Sequence, residues 1–236
     1  MKFNNKKFIF CALTLILSSC SQSDVEYFPL AAGKSWQYRV VIHDMDLEKK
    51  YKQFYINEPP VEIDGNKVFP KKINDGTQYY FEHSDQGIRR VGAKRKLDIN
   101  TTLEKKNYFV IKYPLEVGTS WEQESITAVL EVVIAPFRRH YALHTPVKMK
   151  YTIDSLDQKV KVAAGQFENC LKVVGVGTSL SVEAEKTIGT VDVTVESSDW
   201  YCPNIGLVKS QRKERTTSTV LVKGDFLMEL ETFSEG

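Results

Sequence analysis

The chain has 236 residues, of which 42% are hydrophobic and 26% charged. That length supports a full hydrophobic core, built as one large β domain or as two smaller ones. With 32 Lys and Arg against 30 Asp and Glu, the net charge is only +2, so no global basic character points to a nucleic acid as partner.

Lys2, Lys6 and Lys7 give the first residues positive charge, and Phe8 to Leu17 follow as an apolar run of ten residues. Roughly 7–15 apolar residues make the core of an export signal, well short of the ~20 that span a bilayer as a helix. Leu17-Ser18-Ser19-Cys20 then sets two small residues before a cysteine, a pattern that resembles the lipobox of bacterial lipoproteins. The resemblance implies that residues 1–19 are removed and that Cys20 Sγ carries a diacylglycerol. It also implies that the freed amino group takes a further fatty acyl chain such as palmitate. Cysteine suits the role because a thiolate is the competent nucleophile. Two or three acyl chains hold a protein stably to a bilayer, where one binds marginally. Ser21, not aspartate, follows the cysteine. In lipoproteins of gamma-proteobacterial type this implies delivery to the outer membrane, with the domain facing the periplasm or the cell surface. The leader takes three lysines and no acid with it, leaving 29 cations against 30 acids, a net charge of −1. The isoelectric point near 8.2 therefore belongs to the precursor.

Residues 20–26 are short, polar and serine-containing, and read as a lipidated tether. From Tyr27 onward the dominant signal is alternation of period two, broken by turn residues. Trp36-Gln37-Tyr38-Arg39-Val40, Lys159-Val160-Lys161-Val162 and Thr190-Val191-Asp192-Val193-Thr194-Val195-Glu196 alternate in this way. Between such runs stand Asp64-Gly65-Asn66, Asn74-Asp75-Gly76, Asp85-Gln86-Gly87 and Lys223-Gly224-Asp225, turn chemistry suited to tight hairpins that need positive φ. The expected fold is all-β: an antiparallel meander forming a curved sheet or incomplete β-barrel, with few helices. Leu97 to Lys106 is the best helical candidate. Pro29-Leu30-Ala31-Ala32-Gly33-Lys34-Ser35-Trp36 recurs 85 residues later as Pro114-Leu115-Glu116-Val117-Gly118-Thr119-Ser120-Trp121. A duplicated β unit is one reading; two similar strand starts in one sheet is the other, favoured because the copies diverge at once afterwards. A soft internal boundary falls near residue 110 of the 27–236 domain. With Cys11 in the leader and Cys20 acylated, only Cys170 and Cys202 are left. An even pair in an oxidising compartment invites a disulfide, buried free thiols being the alternative.

Three stretches carry a family resemblance: Tyr27-Phe28-Pro29-Leu30-Ala31-Ala32-Gly33-Lys34-Ser35-Trp36-Gln37-Tyr38, Ala164-Gly165-Gln166-Phe167-Glu168-Asn169-Cys170-Leu171-Lys172-Val173 and Trp200-Tyr201-Cys202-Pro203-Asn204-Ile205-Gly206-Leu207-Val208-Lys209. In this order they resemble uncharacterised bacterial envelope lipoproteins. The resemblance implies a curved antiparallel sheet similar to that of lipoprotein carriers, and it implies no catalytic residue.

A direct search for chemistry yields little. His140 and His144 share a face, but a zinc site needs three or four ligands and no Glu follows His140 as a metalloprotease helix requires. His43 with Asp44 and Asp46 is a second loose cluster. No metal or other cofactor site is expected. There is no Gly-x-Ser-x-Gly, and Gly175-Val176-Gly177 lacks the third glycine of a dinucleotide site, so close strand packing explains it. Carboxylates are scattered, no catalytic residue is named, and the chain is read as non-enzymatic, with a hydrolase lacking a recognisable motif as an alternative. The run Arg89-Arg90-Val91-Gly92-Ala93-Lys94-Arg95-Lys96 offers five cations. Arg89, Arg90, Lys94, Arg95 and Lys96 either contact an anionic lipid surface, at about 1 kcal/mol each, or guard a sheet edge as a solvated hairpin end. The aromatics Trp36, Tyr79-Tyr80-Phe81, Trp121 and Trp200-Tyr201 are core residues, unless a curved sheet leaves a concave face for an apolar ligand. The expected role is a lipid-anchored envelope module that binds an apolar ligand or an envelope partner; the alternative is a structural accessory subunit of an envelope assembly.

Overall fold

The computed structural model describes residues 25–44, 48–134, 139–142, 144–185, 189–218, 221–222 and 224–236. The leader, Cys20 and the first part of the tether lie outside these residues. The first half of the fold is a meander: β1 (Ser35–Asp44), β2 (Glu48–Asn57), β3 (Val61–Ile63), β4 (Asn66–Ile73), β5 (Gln78–Ser84), β6 (Gly87–Lys94) and β7 (Thr102–Lys112). The second half runs β8 (Ser120–Ile126), β9 (Glu131–Ile134), β10 (Arg139–Ala142), β11 (Pro146–Val162), β12 (Gly165–Glu185), β13 (Gly189–Cys202), β14 (Gly206–Thr216), β15 (Leu221–Val222) and β16 (Gly224–Ser234).

Thirteen strands form one sheet in the order β7-β6-β5-β4-β2-β1-β16-β14-β13-β12-β11-β8, with β3 beside β4; β10-β9-β15 form a second, small sheet. Every pairing is antiparallel, and the last strand closes on the first, from Ser35↔Ser234 to Asp44↔Gly224. The two edges of the large sheet are β7 and β8, which are consecutive in the chain. The sheet curls until these edges meet without forming a ladder. Gln123 of β8 accepts a hydrogen bond from Phe109 N (2.8 Å) and donates one to Phe109 O (3.2 Å). A side-chain amide thus copies one pair of ladder bonds, and among the described residues no strand ladder joins β7 to β8. The sheet is curved and not closed into a barrel.

The alternation has a physical outcome in β1. Trp36, Tyr38 and Val40 are buried on the concave side, while Arg39 points out to Glu229 of β16 at 3.1 Å. These three pack with Val208, Met228 and Leu230 and with the long β11–β12 hairpin, whose Val160 and Cys170 close over them. Cys170 and Cys202 sit opposite each other on β12 and β13 and form a disulfide, with Cα atoms 4.1 Å apart. Val191, Val193 and Val195 of β13 join Leu130, Val147 and Met149 in a second cluster. Burying one such side chain stabilises the fold by roughly 1.5–3 kcal/mol.

Asp64 and Gly65 both take positive φ (50° and 77°), the pair of angles a two-residue hairpin between β3 and β4 requires. The two Pro-Leu-x-x-Gly-x-Ser-Trp segments begin β1 and β8 of the same sheet, each with a positive-φ glycine (Gly33, Gly118) and a buried tryptophan (Trp36, Trp121). The helix expected over Leu97–Lys106 does not form. β7 begins at Thr102, with Thr102 opposite Ala93 and Leu103 opposite Gly92. Pairing with β6 and the β-branched Thr101-Thr102 outweigh a weak helical pattern. Glycines at 175 and 177 serve packing: a Cβ on the first would lie 2.7 Å from the Tyr151 ring, and one on the second 2.6 Å from Lys148 O.

Candidate functional site

Because strands alternate faces, the curl turns one side chain in two toward a common interior. On adjoining strands these include Tyr38 of β1, Tyr55 of β2, Lys71 of β4, Tyr79 and Phe81 of β5, and Arg90 of β6. They border a cavity of about 610 Å³, whose far wall is Gln123, Ser125 and Tyr151 and whose side is the β7–β8 seam at Tyr108 and Phe109. Tyr38 OH donates to Leu207 O at 2.7 Å and its ring meets that of Tyr55 edge-on at 5.4 Å. Burial raises the pKa of Tyr38 well above the ordinary tyrosine value and raises those of Tyr55 and Tyr151 as well, so the wall is neutral and aromatic.

Two cations interrupt it. The Lys71 ammonium lies 3.9 Å from the centroid of Trp36 and 4.5 Å from that of Phe28. No carboxylate stands within ion-pair distance of it among the described residues. Its side chain borders the cavity and is half-buried by exposure, yet protein surrounds the ammonium, and that desolvation lowers its pKa to about 7. Arg90 lies between two rings, its guanidinium carbon 5.2 Å from the Tyr79 centroid and 5.0 Å from that of Tyr108.

Both ends of the interior are tied down. At one end the N-terminal residues 25–31 cross the sheet as a strap. Asn57 Nδ2 donates to Pro29 O (3.0 Å) and Ala31 O (2.9 Å), and Asn204 N donates to Glu26 O (2.8 Å). Phe28 of the strap packs against Phe81 with the rings tilted by 54° and their centroids 5.0 Å apart, and it is a wall shared with a second cavity of about 710 Å³, lined by Val25, Tyr27, Leu30, Ile88 and Ile111. At the other end Glu214, fully buried, accepts from the backbone N–H groups of Ala128, Val129 and Leu130 at 2.8–3.1 Å. Arg212 pairs with the same carboxylate at 2.6 Å and donates to Ser125 Oγ and Ile126 O. Charge-assisted bonds on all sides make that buried pair tenable. Nearby on β13, burial raises Asp199 to about 6, against the lowering effects of a Ser210 hydrogen bond and the Arg212 charge.

The basic run of β6 is not brought onto one face. Arg89 points outward and pairs with Glu82 at 2.8 Å, Arg90 enters the cavity, and Lys94, Arg95 and Lys96 stand at the far end of β6. Beside them Leu97 and Ile99 are 91% and 89% exposed. Ile88 touches the strap end and Lys94 the opposite end; six residues of strand put about 20 Å between them. Of the histidines, His43 pairs with Glu48 at 3.3 Å and His144 Nδ1 lies 3.3 Å from Thr127 O. The side chains of Asp44, Asp46 and His140 lie outside the description. Among the described residues no group of three or more His, Cys, Asp or Glu is placed to hold a metal. Sequence reasoning missed Lys71. Its signal was phase: it alternates with Phe69 and Ile73, on the face that the curl turns inward.

No protein-family model matches the chain, and no curated protein matches it. Two solved structures are similar in outline. One is described as an exported protein with a YmcC-like fold, from Bacteroides fragilis: 11% identical, TM-score 0.40, over 89% of this chain and 100% of that one. The other is described as a lipoprotein from Parabacteroides distasonis: 13% identical, TM-score 0.41, over 89% of this chain and 99% of that one. At this level the likeness carries no argument, and the site has to be read from its own residues.

Proposed function

We propose that the protein is a non-enzymatic, lipid-anchored module of the bacterial cell envelope that holds an apolar ligand inside its curved sheet. The observation that carries this reading is the aromatic-walled cavity of about 610 Å³ beside the β7–β8 seam. Its volume lies in the roughly 300–1,000 Å³ range of small-molecule sites, and the seam gives a lateral way in. Export and anchoring rest on the leader and Cys20, with the outer membrane as the expected surface; a Cys20→Ala protein is expected to lose all lipid labelling. The second reading, an accessory subunit working by protein contacts, has one observation in its favour, the exposed Leu97 and Ile99.

Every strand among the described residues lies between Ser35 and Ser234, so the chain from Ser21 on holds what the fold needs without the leader. That protein, purified and examined by native mass spectrometry and by uptake of a fluorescent apolar probe, is expected to bind one equivalent. Absence of both a co-purifying apolar molecule and probe uptake overturns ligand carriage in favour of the accessory role.

A further inference from the structure

We infer that the cavity is selective for a single-chain amphiphile with an anionic headgroup, read by Lys71. The inference rests on the ligand-carrying reading above and adds the class of ligand. Its starting point is an imbalance. A cation held inside protein is strongly unfavourable unless it is paired, and the contacts of Lys71 are the faces of Trp36 and Phe28. Cation–π contacts offset part of that penalty but leave the three N–H donors of the ammonium without an oxygen acceptor of opposite charge among the described residues. An anionic headgroup at the Lys71 end of the cavity supplies one.

The remainder of the cavity suits a tail. Phe28, Tyr55, Phe81 and Tyr151 supply ring faces, and the polar Gln123 is engaged by Phe109. Glu214 is engaged by Arg212 and three backbone N–H groups, and Asp199 by Ser210 and Arg212; Glu124 of β8 borders the cavity on the side of the seam. An amphiphile passing sideways through the seam would carry its tail along the aromatic wall and bring its head to Lys71.

The test is competition against a fluorescent apolar probe on the protein from Ser21 on, below micellar concentrations, with three twelve-carbon ligands. Dodecanesulfonate is anionic at every working pH, 1-dodecanol is neutral and dodecyltrimethylammonium is cationic. At pH 6 the sulfonate is expected to bind at least tenfold tighter than the alcohol, and the ammonium weakest. Lys71→Met is expected to remove most of that preference while leaving alcohol binding within about threefold. In the wild type, raising the pH to 8.5 is expected to weaken sulfonate binding several-fold, as Lys71 loses its proton. Asp199 of β13, raised to about 6 and acting on the Tyr151 wall, also gains negative charge over this range, so the part of the change that Lys71→Met removes is the part assigned to Lys71. Of the other ionisable groups that face the cavity, Tyr38, Tyr55 and Tyr151 are raised by burial, and Tyr79 of β5, Arg90 of β6, Tyr108 of β7 and Glu124 of β8 complete the set. Equal binding of all three ligands, unmoved by pH, overturns the inference and leaves ligand carriage standing. No binding of any ligand overturns carriage itself. Should Lys71→Met fail to fold, the headgroup preference of the wild type across the three ligands decides the matter alone. A companion series with dodecanoate and dodecyl phosphate identifies which headgroup oxygens are preferred.

Discussion

Lys71 also makes a prediction about stability that needs no ligand. In the unfolded chain a lysine ionises near 10.4; in the fold, burial lowers Lys71 from 10.5 to about 7. Between those values the unfolded state holds a proton the native state lacks, so stability rises with pH across the window. The contribution is unfavourable and fully present below pH 7, and it is relieved as pH climbs toward 10. Each tenfold change in proton affinity is 1.36 kcal/mol, which bounds the effect at about 5 kcal/mol. Because the side chain borders the cavity and keeps some solvent access, about 2 kcal/mol is the working expectation. Urea unfolding of the wild type and Lys71→Met at pH 6, 7.5 and 9 measures it directly. The wild type is expected to gain about 2 kcal/mol between pH 6 and 9, and the variant to be more stable at pH 6 and to lack that slope. Asp199 acts in the opposite sense but lower on the scale: raised to about 6, it favours the fold at acid pH and loses that contribution as pH rises through 4 to 6. A wild type whose stability is flat or falling from pH 7 to 9, or a variant with the same slope, refutes the assignment of a desolvated Lys71.

Other substitutions probe the rest of the frame. Glu214→Gln leaves Arg212 buried without its counter-charge and weakens the bonds from Ala128, Val129 and Leu130, and is expected to destabilise by roughly 3–5 kcal/mol in urea titrations. Reducing the Cys170–Cys202 bridge, which spans 32 residues, is expected to cost about 3–4 kcal/mol in the chain-entropy account, read as a lower urea midpoint with added reductant. Gln123→Ala removes the two bonds that hold the seam; a loss of about 1–2 kcal/mol and faster exchange of a bound apolar probe in stopped flow are expected. Asn57→Ala frees Pro29 O and Ala31 O, and is expected to lower stability by about 1–3 kcal/mol and to speed proteolysis within residues 25–33.

Much of the sheet could be read from local chemistry. Asp64-Gly65 specifies its own turn, and Trp36-Gln37-Tyr38-Arg39-Val40 sorts its faces by alternation alone. The interior polar groups were hidden because a strand does not say which way the sheet will curl. Arg212-Lys213-Glu214-Arg215 looks like a diluted surface charge cluster; alternation sends Arg212 and Glu214 inward, and residues 128–130, more than eighty positions away, complete the pairing. Arg89 and Arg90 are adjacent in the run yet end on opposite faces. Lys71, flanked by Pro70 and Lys72, has the appearance of a solvated edge. The union of β1 with β16 and the bridging of Phe109 by Gln123 depend on contacts that no local pattern encodes.

The arrangement of the seam has a mechanical consequence. Its two lips, β7 and β8, are joined by residues 113–119 at the strap end and fastened midway by Gln123, so they behave as a clasp hinged at its base. Spreading them widens a wedge whose broad end lies near Thr102 and Ile126, away from the strap. Four residues lie between Cys20 and Val25, so the five Cα-to-Cα steps reach about 17 Å at most. With the proposed lipid on Cys20, a domain held that closely by its hinged end would open outward, presenting a proposed ligand to the far side of the compartment and not to the bilayer.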